Sequence, residues 1–72
     1  MLRPDREQAL AKTAIALMGE CAVVPTPENF ELFYAYAAGE NPGVTQVIGA
    51  MVAARKPFTP EIVWDKLQLL GL

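Results

Sequence analysis

The chain has 72 residues, a length at which one hydrophobic core is only just sufficient, so we expect a single domain over residues 1–72. One cysteine and no histidine exclude an internal disulfide and a structural zinc site. The net charge is −2 and the six basic residues are scattered, so no basic stripe is available for nucleic-acid binding.

Hydrophobic residues form 53% of the sequence, yet the longest fully apolar run, residues 32–38, is much shorter than the roughly 20 residues that cross a bilayer. The N-terminus carries charge with no apolar stretch directly behind it, so no signal peptide is predicted. We therefore expect a cytoplasmic protein without membrane insertion, in which the single thiol stays reduced.

The first predicted helix covers residues 5–20. Asp5 and Glu7 place negative charge near the positive end of its dipole. Apolar side chains recur at helical spacing along one face, at Leu10, Ala14, Leu17 and Cys21. Residues 22–25 then form an extended connector, because two nearby prolines disfavour helical backbone in the residues before them.

The second predicted helix, residues 27–38, holds four of the six aromatic residues within seven positions. Thr26 is a good N-cap, Pro27 suits the first helical position, and Gly39 can adopt the left-handed conformation that ends a helix.

This helix has two apolar sides. Phe30, Phe33, Tyr34 and Ala37 share one face, and Leu32 and Tyr36 lie on the other. Such a helix is either central in a bundle or partly covered by another molecule.

The third predicted helix covers residues 42–55 after an Asn41 N-cap, and the fourth covers residues 60–70 after Thr59. No segment alternates polar and apolar residues with the period of a strand. The sequence therefore predicts an all-α fold, a compact four-helix bundle with short connectors marked by proline and glycine.

The helical faces predict which side chains form the core and which remain for a partner. The candidate interaction surface comprises Leu32, Tyr36, Ile62 and Leu69. The candidate core comprises Leu10, Ala14, Leu17, Phe30, Phe33, Tyr34, Val44, Val47, Ile48, Met51, Val63, Trp64 and Leu67.

The chain contains no serine and no histidine, so a Ser–His or Cys–His catalytic pair is excluded. Glu28 and Glu31 are one turn apart, but at a helix start they are typical solvated partners of the dipole. No glycine-rich phosphate-binding motif is present. We expect no catalytic residue, no cofactor and no metal, and therefore no enzyme within this chain.

Several capping motifs together carry a family resemblance. Residues 26–30 read TPENF, residues 39–42 read GENP, and residues 59–61 repeat TPE. Over residues 23–67 this pattern resembles the N-terminal helical region that precedes the GGDEF catalytic domain in many bacterial diguanylate cyclases. No GG[DE]EF motif and no R-x-x-D inhibitory-site motif occurs in the chain itself.

The resemblance implies a non-catalytic regulatory module of c-di-GMP signalling, which sets the dimerisation or partner choice of a cyclase, and we expect a homodimer. Two alternatives stay open. One is a stand-alone adaptor that binds a helix of another protein along the second apolar stripes. The other is a sensor that holds a small molecule between the aromatic face of the second helix and Trp64.

Overall fold

A computed structural model describes residues 5–71, and within that range the secondary structure is helical. The elements are α1 (Asp5–Glu20), α2 (Pro27–Ala38), α3 (Pro42–Ala53) and α4 (Pro60–Leu67), which continues as a 3₁₀ turn, Gln68–Leu70. The all-α prediction is confirmed, and the first two predicted helices have the predicted bounds.

The predicted N-caps are confirmed, since each accepts a hydrogen bond from the backbone N–H three residues later. Thr26 Oγ1 lies 3.3 Å from its donor, Asn41 Oδ1 lies 3.2 Å and Thr59 Oγ1 lies 3.3 Å. A proline follows every one of these caps. These local interactions fix where α2, α3 and α4 begin.

The helix ends use left-handed residues, and two of these are not glycine. Gly39 ends α2 with φ +68°, as predicted. Ala22 follows α1 with φ +58°, and Arg55 follows α3 with φ +55°. Backbone N–H groups of the next residues reach back to carbonyls five positions earlier, at 2.7 Å after α1 and 2.9 Å after α3. This is the Schellman arrangement, and it ends α3 before the predicted residue 55.

The core lies on both sides of α2, which packs against each of the other three helices. On the α1 side, Phe33 is buried with Ala14 and Met18. On the α3 and α4 side a larger buried cluster forms from Leu32, Val44, Ile48, Val63 and Leu67. Phe58, in the connector before α4, packs against both clusters, and its ring centroid lies 5.0 Å from that of Phe33.

The structure corrects two sequence-based assignments. Leu32, predicted for the interaction surface, is fully buried in the larger cluster. Trp64, predicted for the core, is 65% exposed. Neighbouring Val63 takes the inward position on α4, and Trp64, about 100° further round the helix, lies outside the packed core.

Tyr36, also predicted for the interaction surface, is half-buried between α2 and α3. Its ring lies 3.5 Å from the position that a Cβ on Gly49 would occupy. That distance is an ordinary van der Waals contact. The glycine in α3 therefore lies directly under the tyrosine ring.

The remaining candidate core residues, apart from Leu10, lie inside or at the edge of the two clusters. Leu10 is half-buried on α1. Those that are half-buried and pack against a cluster are Leu17, Phe30, Tyr34, Val47 and Met51. Those that are fully buried are Ala14, Phe33, Val44, Ile48, Val63 and Leu67.

We predict that Leu32→Ala lowers the free energy of unfolding by about 2–5 kcal/mol, because it removes a buried side chain and leaves a cavity. Urea denaturation followed by circular dichroism measures this change. The control is Ile15→Ala, which changes a side chain that is 53% exposed and should shift stability by less than about 0.5 kcal/mol. Equal effects of the two substitutions would contradict the burial of Leu32.

We predict that Ala22→Gly raises the free energy of unfolding by about 0.5–1 kcal/mol, since glycine adopts the left-handed conformation without a Cβ clash. The matched control, Ala16→Gly, changes an exposed position inside α1 and should cost about 1 kcal/mol. Thermal denaturation of both variants gives the comparison. A loss of stability in Ala22→Gly would contradict the left-handed cap.

Candidate interaction groove

An apolar groove of about 660 Å³ lies between the α1–α2 connector and the beginning of α4. Ten residues line it, and we call it the Trp64 groove. Its apolar lining comes from the connector, from Phe58 and from α4, and includes Val23, Val24, Phe58, Val63 and Trp64.

Two of these side chains are unusually exposed for their type. Trp64 is 65% exposed and Val24 is 67% exposed. A tryptophan in this position leaves a large apolar surface in water, and tryptophan is enriched among residues that dominate protein–protein binding energy. Phe58 and Val63, which also line the groove, belong to the packed interior. The groove therefore combines a fixed base with exposed apolar edges.

Hydrogen bonds hold the connector that carries Val24. The Val24 carbonyl oxygen accepts from the side-chain amide of Asn29 at 2.8 Å and from the backbone N–H of Thr26 at 2.8 Å. Both donors belong to the beginning of α2 or to its cap. The same capping segment that starts α2 therefore fixes one edge of the groove before any ligand binds.

Charge at the Trp64 groove is acidic. Glu28 is the one charged side chain among its ten lining residues. Glu61 lies one helical turn before Trp64 on α4, so it is on the same side of that helix. Lys66 forms an ion pair with Asp65 at 3.3 Å and does not line the groove.

A second cavity, of about 740 Å³, adjoins the first, and we call it the Arg55 groove. Arg55 and Lys56 supply its basic side chains, and Glu20 an acidic one. Ala22 and Phe58 line both grooves.

A third cavity, of about 620 Å³, is lined by the aromatic side of α2. Phe30 and Tyr34 contribute their rings, with centroids 5.7 Å apart. At its edge Glu40 forms an exposed ion pair with Arg6 at 2.6 Å. Trp64 does not line this cavity, so Trp64 and the rings of Phe30 and Tyr34 border different cavities.

The four residues of the predicted interaction surface are not brought together in one exposed patch. Leu32 is buried and Tyr36 covers Gly49. Ile62 is half-buried, Leu69 is 39% exposed, and neither lines the Trp64 groove. Sequence reasoning missed Val24, although a valine between a helix end and two prolines has few partners to cover it.

The residues that carry the family resemblance have structural roles in this fold. Thr26 and Asn41 cap helices, and Gly39 ends α2 in the left-handed conformation. The side-chain amide of Asn41 also donates to the Leu69 carbonyl oxygen at 2.9 Å, which joins the α2–α3 turn to the 3₁₀ turn. Asn29 holds the connector. Thr26, Glu28, Asn29 and Pro60 of these motifs also line the Trp64 groove, so the motif residues both start the helices and form part of its wall.

Comparison with protein-family models, with curated proteins and with solved structures finds no match to this chain. Among residues 5–71, no helix is long and apolar enough to span a membrane. The same range contains no group of three or more Cys, Asp or Glu side chains placed to hold a metal ion.

Proposed function

We propose that this chain is a non-catalytic regulatory module that binds an amphipathic helix of a partner protein in the Trp64 groove. The observation that carries the proposal is the exposed pair of Trp64 and Val24 at the edge of an apolar groove whose base is Phe58 and Val63. An amphipathic helix would bury both exposed side chains, and grooves of this kind bind such helices in other proteins.

The size of the groove favours a helical segment over a second copy of the chain. Standard protein interfaces use about 20–30 residues on each side. The Trp64 groove has ten lining residues, which suits one short element of a partner. Leu32, a main support for a homodimer, is buried and cannot contribute to such an interface.

The cellular context of the proposal comes from the sequence resemblance. We infer from it a module that precedes a GGDEF domain in a bacterial diguanylate cyclase, where that other domain binds GTP and its metal, and we propose a cytoplasmic location. When such a module binds a partner, the effective concentration of the linked catalytic domains near one another changes. Binding in the groove would then control c-di-GMP synthesis without any chemistry in the module itself.

We predict that Val24→Glu abolishes peptide binding in the groove, since it places a charge at an apolar edge. A displayed library of helical 14-residue peptides, selected against the wild-type chain, should yield amphipathic clones whose binding is lost in this variant and in Trp64→Ala. Ile15→Glu is the matched control, because Ile15 is 53% exposed and lines none of the three cavities. Clones that bind all three variants equally would refute the proposed site.

The cyclase context has a separate test in the reading frame that follows Leu72. We expect a GG[DE]EF motif to be encoded there, and sequencing of the source gene reads it directly. A stop codon immediately after Leu72 would contradict the cyclase context, while the helix-binding proposal would still be decided by the peptide selection.

A further inference from the structure

The Trp64 groove and the Arg55 groove adjoin each other at Ala22 and Phe58, and we call the two together the trough. Both are lined by Ala22 and Phe58, so the side chains at the end of the first groove begin the second. A ligand longer than either groove would therefore extend over Phe58 from one into the other.

The two ends of the trough are built from opposite helix termini. The Trp64 end is lined by the beginnings of α2 and α4, through Glu28 and Pro60. The Arg55 end is lined by the last residues of α1 and α3, through Glu20 and Ala53. Helix starts carry partial positive charge and helix ends partial negative charge. The backbone therefore makes the Trp64 end of the trough partly positive and the Arg55 end partly negative.

Side-chain charges give the trough a second polarity, with the opposite sign. Glu28 is the charged group at the Trp64 end, and Arg55 and Lys56 outnumber Glu20 at the other end. An amphipathic helix commonly has acidic side chains in its first turn and basic side chains in its last. Laid with its first turn at the Arg55 end, such a helix places its acidic side chains beside Arg55 and Lys56 and its basic side chains beside Glu28.

We propose that the trough binds a partner helix in this one direction, with its acidic N-terminal turn at Arg55 and Lys56 and its basic C-terminal turn beside Glu28. The apolar face of the helix then covers Phe58 and Trp64. This inference rests on the proposed function and adds to it the charge pattern and the orientation of the bound segment.

Trp64 reports the direction because it is the single tryptophan and lies at one end of the trough. The probe is a synthetic 14-residue helix, about 21 Å long, with leucines on one face, glutamates in the first turn and lysines in the last. One version carries a nitroxide quencher at its C-terminus and a second version carries it at its N-terminus. We expect the C-terminal label to quench Trp64 fluorescence at least twofold more strongly at saturation.

Charge variants of the protein test the recognition itself. Glu28→Gln and the double substitution Arg55→Glu, Lys56→Glu should each weaken binding of the charged peptide by about two- to fivefold, with the larger loss in the double variant. Lys12→Glu is the control, because Lys12 is exposed on α1 and lines none of the cavities. It should leave the affinity unchanged at physiological salt.

A peptide with glutamine in place of every charged residue separates the two proposals. If it binds, and the charged peptide binds with equal quenching from either end, the direction is wrong while helix binding in the groove stands. If neither peptide binds at concentrations where the library clones do, the charge pattern is wrong. If the library yields no groove-dependent clone, the proposed function fails together with this inference.

Discussion

The fold depends on one constraint, namely that α2 must be covered on two sides. Leu32 and Phe33 are adjacent in the chain and both fully buried. Successive helical residues point about 100° apart, and Leu32 and Phe33 are buried in different clusters. One side of α2 therefore packs against α1 and the other against α3 and α4. The groove that we propose as the functional site forms where these two layers meet at their connectors.

Helix boundaries could be predicted from the sequence because they depend on local chemistry. A Thr or Asn cap followed by proline acts within one turn, and the structure forms each predicted capping hydrogen bond. The end of α3 was placed too late, since nothing in its sequence marks Arg55 as a left-handed residue. The left-handed conformation is unfavourable for arginine, and the hydrogen bond from the Lys56 backbone N–H to the Met51 carbonyl oxygen offsets part of that cost.

Which face of each helix is buried was harder to predict. Periodicity shows which residues share a face, but it does not show which face packs against the rest of the protein. The second stripe of α2 was compatible with a partner protein or with α4, and the fold uses it internally through Leu32. In α4, eight residues leave little pattern to distinguish an inward Val63 from an outward Trp64. The candidate site, which depends on Val24 and Trp64, therefore emerges from tertiary packing rather than from a motif. The basic pair at positions 55–56 is visible in the sequence, but only the fold shows that it lines a groove with Phe58.

Phe58 has a thermodynamic consequence beyond its place in the groove. It packs against the clusters on both sides of α2 and also lines both halves of the trough. A helix that binds against the Phe58 ring therefore requires both buried clusters to be formed. Its binding free energy adds to the stability of the whole chain through mass action, by RT ln(1 + [L]/Kd). Binding of a helix at the surface and cooperative folding of the interior therefore depend on the same side chain, Phe58.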